Sequence, residues 1–490
     1  GDLITATVTG GVPHPSGYPT YLLLGSLFAR LPFGDLAWRF NLMSAVGAAG
    51  AVGFTVLATA TALHKIPDGE TQQIHWVAAG VAGTTFAFSS LLWSQAVVAE
   101  VYSWNACFAA LVWYLMLQAR ASGKPWLGPL TAYLFGLGLG NHLSLLALAP
   151  AGLVLFLSSS DRVRRDFSAS PSVPRRVVMT FVTLLAFAAG LAIYAVLPLR
   201  ATHKAPVNWG GADTWEGFIW LITGQAYAPL VAALPLAHLP TRLLAALALL
   251  VRQAAWWGVP AAYLGARALW RHDRPILIAT SLSSLILLVY AVGYNTSDSY
   301  VYLIPLGMML ALWMAWGLVE GLCHLLPQFG TCASHLISTR LMQWGIWMLA
   351  LLPLVANYQL VDASGDRRAH EFGLQALDSV ERNALIITET ARDTFPLWYF
   401  HYAEGRRADV ILINGNLLIY EWYRDSLRRR YPSIELPSAA YDVTQAVQRL
   451  IRTGLARGAV YLTTQRWSVP NDLYLKPAGI LYRVERRGSS

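Results

Sequence analysis

The sequence predicts a mainly α-helical, polytopic transmembrane bundle followed by a C-terminal soluble α/β domain. Three observations carry this reading. Of the 490 residues, 55% are hydrophobic and only 13% are charged, about half the charge of a soluble globular chain. The mean hydropathy is +0.44. Long apolar stretches fill the chain up to about Val355, and charges become frequent only from Asp362 onward. That shift divides a membrane-embedded part, residues 1–360, from a soluble part, residues 361–490.

A membrane-spanning helix needs about 20 apolar residues. About ten runs meet or approach that length, near 39–63, 76–94, 103–119, 127–140, 143–158, 177–198, 242–269, 275–293, 302–325 and 342–357. The pair at 127–140 and 143–158 is short enough to be re-entrant, and a stretch at 20–31 reads as an interfacial helix. The chain opens on Gly1 with neither Met nor a signal peptide, so it is expected to start inside a longer protein whose first membrane helix precedes Gly1.

Orientation follows from the loops. With the N-terminal stretch outside, alternation puts the loops at 64–75, 120–124, 159–176, 271–274 and 327–340 inside. These hold most of the loop Lys and Arg, including Arg162, Arg164, Arg165, Arg175 and Arg176. The positive-inside rule is then satisfied, and the protein is a multi-pass membrane protein with its soluble domain outside the cytoplasm. The net charge of +9 is accounted for by topology. No basic motif interleaved with aromatics suggests nucleic acid, which is excluded as a partner, while membrane lipids are implied. Three cysteines, Cys107, Cys323 and Cys332, offer neither a disulfide framework nor metal-ligand spacing.

The tail alternates short apolar runs at 384–388, 410–414 and 459–463 with helical patterns at 395–403, 417–429 and 443–452. That is the pattern of a compact α/β domain with a partly parallel sheet. It lacks a Gly-rich phosphate loop.

Unusual polar residues gather in the outside loops, which suggests one site at one membrane face. Asp2 opens that region, and a carboxylate at a membrane-facing cleft suits a general base; the alternative is a surface Asp at a helix end. His14-Pro15-Ser16-Gly17-Tyr18-Pro19 holds His14 and Tyr18 on a rigid loop, its prolines limiting and its glycine freeing the backbone. The same run could be only a turn into the next helix. Glu100 lies near the outer membrane face, where an ionisable group is costly, unless it reaches water or caps a helix. Asn141-His142 occupies a turn, where a lone His is more often hydrogen-bonded than metal-bound. Arg200, with Lys204 close by, follows a span at the level of a lipid phosphate, which arginine grips with paired donors; an interfacial anchor is the other reading. Trp209-Gly210-Gly211 stands in the long loop beyond it. Asp298 sits in a polar stretch between two spans and could orient Arg200 or bind substrate.

Together these segments resemble the polytopic protein O-mannosyltransferases of the glycosyltransferase-C superfamily. The hallmark of that family is an acidic Gly-Glu-Leu segment followed by His-Pro-Pro-Gly-Tyr-Pro. This chain reads Gly1-Asp2-Leu3 and then His14-Pro15-Ser16-Gly17-Tyr18-Pro19. Trp93-Ser94-Gln95-Ala96 through Glu100-Val101-Tyr102, Asn141-His142 and Leu197-Pro198-Leu199-Arg200 are similar too. In the tail so are Asp393-Thr394-Phe395-Pro396 and Gly405-Arg406-Arg407-Ala408-Asp409. Asp2 replaces the usual Glu, and the family's further Asp, just upstream, would fall before Gly1. If that Asp is the base, Asp2 is a second carboxylate that steers the acceptor or a metal. Thr390-Ala391-Arg392 is also less acidic than the family's tail motif.

The resemblance implies a GT-C-like fold. It implies transfer of a sugar, mannose by family expectation, from a polyprenyl-phosphate donor to a protein or glycan acceptor on the outer membrane face, by an inverting route. It makes Asp2 the base or acceptor-positioning acid and Arg200 the phosphate clamp. His14, Tyr18, Glu100, Asn141, His142, Trp209 and Asp298 would bind substrate. No metal site is indicated, and dependence on a divalent metal is left open. Two other readings fit the composition: a non-catalytic scaffold of the same fold, and a transporter or lipid flippase. Against transport, no internal repeat is visible and the polar motifs lie at one face rather than at midplane.

Overall fold

Inside lipid a backbone must satisfy its own hydrogen bonds, so the apolar runs form helices. The computed structural model describes residues 1–64, 72–158, 173–325, 340–436 and 442–488. Among these, five helices are long and apolar enough to cross a membrane: Leu36–Leu63, Val177–Ala201, Arg274–Gly293, Ser299–Leu322 and Trp344–Val361. The helices in chain order are α1 (Asp2–Thr9), α2 (Pro19–Phe28), α3 (Leu36–Leu63), α4 (Gln72–Ala87), α5 (Ser90–Ala96), α6 (Tyr102–Ser122), α7 (Leu127–Leu139) and α8 (Ala149–Leu157). They continue with α9 (Val173–Leu191), α10 (Val196–Ala201), α11 (Trp215–Ile222), α12 (Leu239–Gln253), α13 (Ala255–His272), α14 (Arg274–Gly293), α15 (Ile304–Leu325) and α16 (Arg340–Val361). The closest-packed pairs are α3 with α6, α13 with α15, and α7 with α9.

Two runs that the sequence presents as single spans are each two helices. The run expected at 76–94 bends by 65° between α4 and α5, and the one at 242–269 bends by 96° between α12 and α13. Gln253, buried at the second bend, repairs the first: its Oε1 accepts from Leu91 N at 2.9 Å and its Nε2 donates to Ser90 Oγ at 3.0 Å. From α16, Asn357 Nδ2 donates to the freed carbonyl of Phe88 at 2.8 Å. Neither Gly nor Pro marks the second bend; Ala255 takes a φ of 46° there. The stretches expected at 127–140 and 143–158 are helical but short.

Small residues set the closest approach in the bundle. A Cβ on Gly265 would stand 1.7 Å from the Trp313 carbonyl oxygen, and one on Gly317 would stand 1.8 Å from that of Ala261. At the end of the bundle away from α1, Arg120 Nη1 meets Asp273 Oδ2 at 2.8 Å, tying α6 to the α13–α14 corner. Most of the basic loop at 159–176 lies outside the described residues. So do 65–71, 327–339 and Cys332.

The tail carries a five-stranded sheet of β1 (Leu385–Thr388), β2 (Ile411–Asn414), β3 (Val460–Leu462), β4 (Leu473–Ala478) and β5 (Leu481–Arg486) in the order β2-β1-β3-β5-β4. The first three pair in parallel, at the positions the apolar runs mark. The β4–β5 hairpin closes the sheet antiparallel and has no counterpart in the sequence reading. Crossover helices α18 (Ala391–Trp398), α19 (Glu421–Arg430) and α20 (Val443–Leu455) accompany it, after α17 (Arg368–Asp378).

Apolar packing joins the two parts. Leu3, Ile4, Val12, Tyr21 and Trp209 belong to the same buried cluster as the strands of the sheet, and α1 packs on the turn Tyr399–Ala403 that follows α18. The segment bearing Asp2 is therefore held between bundle and sheet domain.

Candidate active site

Asp2 is the first residue of α1, and its side chain is 2% exposed. Burying a carboxylate is tolerable only with donors around it. It has three: Oδ2 accepts from His14 N at 3.1 Å and from His14 Nδ1 at 2.6 Å, and Oδ1 accepts from Trp209 Nε1 at 3.1 Å. The chain returns to Asp2 because Gly10, left-handed at φ 76°, ends α1. Val12 then forms an isolated parallel bridge with Asn208, its carbonyl accepting from Trp209 N at 3.0 Å. Gly17 turns the His14–Pro19 loop at φ 82°, where a Cβ would also come within 2.8 Å of Leu197. Pro19 then starts α2, at the position where its missing N–H costs nothing.

His14 lies between Asp2 and open space. Its side chain is 22% exposed, and its Nε2 is 3.3 Å from the hydroxyl of Tyr18, which itself donates to Pro15 O at 2.9 Å. Burial disfavours the charged ring, but the hydrogen bond and charge of Asp2, with the charge of Glu100, outweigh it and raise the His14 pKa above its ordinary value. Trp209, Tyr227 and Phe395 stand around the imidazole, Phe395 nearly parallel to it at 6.3 Å and 17°. A cleft of about 240 Å³ opens here, lined by His14, Trp209 and Tyr227 from the membrane part and by Glu389, Phe395 and Asn416, among others, from the sheet domain. Asp2 sits one side chain behind that wall. The group of the pair that faces the cleft is His14, whereas the sequence reading put Asp2 itself in the position of base.

Glu100 is in the loop between α5 and α6. Burial raises its carboxyl pKa, with the charge of His14 opposing. The loop is pinned by Asn141, whose Nδ2 donates to Val101 O at 3.0 Å, and by Ser103 Oγ donating to Gln95 O at 2.8 Å. Asn141 is thus engaged with backbone, and among the described residues its Oδ1 has no partner. His142 caps the next turn, its Nδ1 3.1 Å from Ser144 N and 2.9 Å from Ser144 Oγ. Burial holds its pKa down at about 4, so the ring is neutral at physiological pH. Tyr18, Tyr102 and Tyr302 surround it.

Arg200, expected as a phosphate clamp, donates from Nε to Gly11 O at 2.9 Å and from Nη2 to Ala6 O at 2.9 Å and Thr7 O at 2.7 Å. Ala6 and Thr7 lie in the last turn of α1 and Gly11 just past it, so the guanidinium anchors the helix that carries Asp2. Asp298 is exposed and does not meet Arg200. The cation on its loop is Arg242, bonded to the Tyr294 and Thr296 carbonyls and to Ser299 Oγ. Lys204 pairs with Asp213.

Sequence reasoning did not assign Tyr227, Glu389, Phe395 or Asn416 to the site. Phe395 lay inside the Asp393-Thr394-Phe395-Pro396 segment, and that was a usable signal. Tyr227 and Asn416 had none, because only folding brings them beside His14. Among the described residues no three His, Cys, Asp or Glu side chains gather as a metal site.

A family model described as the protein O-mannosyl-transferase TMEM260 N-terminal domain matches residues 1–165, and one described as TMEM260-associated domain 2 matches residues 369–454. Together they take in just over half of the chain. A Mus musculus relative named protein O-mannosyl-transferase TMEM260 is 27% identical over 468 residues, which is 91% of this chain and 63% of the relative. A Dictyostelium discoideum relative named protein O-mannosyl-transferase tmem260 is 23% identical over 491 residues, 90% of this chain and 57% of the relative. The chain thus spans about six-tenths of the length of these curated relatives. Among solved structures, ArnT from Cupriavidus metallidurans bound to undecaprenyl phosphate shares the fold. The TM-score is 0.54 at 12% identity, over 100% of this chain and 94% of that one.

Proposed function

The chain belongs to a polytopic O-mannosyltransferase-like family, and from that premise we propose that it is a membrane glycosyltransferase. It moves a sugar, mannose, from a polyprenyl-phosphate donor to a hydroxyl of a protein acceptor on the extracytoplasmic membrane face. The observation that carries this is the Asp2–His14 pair at the wall of a cleft between bundle and sheet domain. The names of the curated relatives support the reaction class, and the undecaprenyl phosphate bound to ArnT supports a lipid-linked donor. The positive-inside distribution of loop charges supports the orientation.

His14 is the base in this reading and Asp2 its positioning partner. The unprotonated ring takes the proton of the acceptor hydroxyl. The acceptor oxygen forms a bond to the anomeric carbon as the bond from that carbon to the phosphate oxygen breaks, and its electron pair leaves with the polyprenyl phosphate. Attack opposite the leaving group inverts the anomeric centre, so one base suffices. Asp2 stabilises the imidazolium that results, and Trp209 stabilises Asp2. His142 is enclosed by Tyr18, Tyr102 and Tyr302 rather than by the cleft. Arg200 keeps α1 in place.

The test is transfer of radiolabelled sugar from polyprenyl-phosphate donors in membranes carrying the protein, beside Asp2→Asn and His14→Ala. Label reaching an acceptor in the wild type, and falling sharply in both folded variants, supports the reading. Wild-type transfer unaffected by either substitution removes the Asp2–His14 pair from the chemistry. No transfer from any donor by the folded wild type overturns the function itself.

A further inference from the structure

We propose that the sheet domain reads the acceptor: Asn416, Glu389 and Phe395 hold an extended, hydroxyl-bearing polypeptide segment against His14. This rests on the glycosyltransferase reading above and adds to it which residues choose the acceptor.

The cleft has two differently made walls. His14, Trp209 and Tyr227 come from the membrane part; Glu389, Phe395 and Asn416 come from the sheet domain. A donor carrying a polyprenyl chain must approach sideways, from lipid. The wall made by the sheet domain is the one left, in this reading, for a protein acceptor. The position also follows from topology. Glu389 directly follows β1, and Asn416 lies two residues past β2, so both stand at the carboxyl ends of adjacent parallel strands. That is where open parallel sheets bind their ligands.

These side chains are preorganised for a peptide. Asn416 Nδ2 donates to Glu389 O at 2.8 Å, which fixes the carboxamide, and Oδ1 has no partner among the described residues. A fixed carbonyl oxygen at a cleft wall accepts a peptide N–H. The Glu389 carboxylate is 3.8 Å from Arg466 Nη1, too far for a hydrogen bond, and so it too can accept. The loop bearing Glu389 is knitted by Asp393, which accepts from Glu389 N and Thr390 N at 2.8 and 2.7 Å and also from Thr463 Oγ1. Little ordering is left to occur on binding. Phe395, almost parallel to the His14 ring, gives the aliphatic part of a Thr or Ser residue an apolar surface beside the base. A cleft of about 240 Å³ admits one side chain with its flanking backbone.

The test measures binding without turnover, on the full chain in lipid nanodiscs. The probes are a short fluorescent threonine peptide, the same peptide N-methylated beside the threonine, a mannose oligosaccharide, and a labelled polyprenyl-phosphate sugar. Asn416→Ala and Glu389→Gln should each weaken the peptide about tenfold, the worth of one hydrogen bond, with wild-type donor affinity and thermal midpoint. N-methylation should weaken binding to the wild type and make little difference to Asn416→Ala. Equal peptide affinity in wild type and variants overturns the proposal, as does equal loss of donor affinity. Oligosaccharide binding that falls in Asn416→Ala while the peptide is unaffected would replace the peptide with a glycan. A wild type that binds peptide in an Asn416-dependent way but transfers no sugar leaves this proposal standing and overturns the glycosyltransferase reading.

Discussion

The Nδ1 of His14 is 2.6 Å from Oδ2 of Asp2, and the imidazole separates that buried carboxylate from the cleft. Twelve residues apart in sequence, the two are brought together by the turn after α1, and their chemistry is coupled.

The coupling has a pH signature. The Asp2 interactions raise the His14 pKa against the burial that lowers it. A base must be unprotonated, so kcat should climb as pH rises through a value above the ordinary histidine pKa of about 6.5. Asp2→Asn removes the charge and leaves the burial, which should move that inflection to lower pH and cut kcat by about a hundredfold or more. Stability runs the other way. The imidazolium–carboxylate contribution is complete below about pH 6.5 and is lost as pH rises through the raised value. A pH–rate profile beside melting temperatures across the same range measures both.

Trp209→Phe keeps a ring against Trp422 but removes the Nε1 donor to Asp2. Losing a hydrogen bond to a buried charge should lower kcat about ten- to a hundredfold. Steady-state kinetics in membranes test this, and an unchanged kcat would place Asp2 outside the reaction.

For Arg200 the anchor and the phosphate clamp predict different kinetics. If it secures α1, Arg200→Ala should lower thermal stability and kcat together, because its bonds to the carbonyls of Ala6, Thr7 and Gly11 are lost. The donor KM should stay near wild type, and Arg200→Lys should recover only part of the loss, since a single ammonium cannot reproduce the guanidinium fork. A donor KM that rises about tenfold or more with an unchanged melting temperature would restore the clamp.

Packing between α13 and α15 depends on a missing methyl. Gly265→Ala would place a carbon 1.7 Å from the Trp313 carbonyl oxygen, so the helices must part. The expected cost is about 1–3 kcal/mol, read as a lower melting temperature of the detergent-solubilised protein. Gly321→Ala, with nothing within 4 Å of the added carbon, is the control that should keep the wild-type midpoint.

Much of the site was legible because its motifs are local. The His14–Pro19 loop, the Glu100 segment and Asn141-His142 are short stretches whose prolines, glycines and buried polar groups stand out in apolar surroundings. Arg200 was visible as a cation near a membrane face, but its partners, Ala6, Thr7 and Gly11, lie nearly two hundred residues away. Backbone carbonyls carry no sequence signal, so a helix anchor and a phosphate clamp look alike before folding. The bend at Ala254–Ala255 was hidden for a related reason: neither Gly nor Pro marks it, and Gln253 acts on Leu91 and Ser90, far back in the chain.

By itself the sequence determined the solvent of each part of this protein. Apolar run length and charge density decide between lipid and water residue by residue, and the alternating runs of the tail set the three parallel strands in the same local way. Only the tertiary structure decided which side chain of the Asp2–His14 pair faces the cleft, and that Glu389, Phe395 and Asn416 form its far wall. Those facts depend on α1 being clasped between the bundle and a sheet that begins nearly four hundred residues later. Burial is a property of the assembled core, and no local pattern of residues encodes it.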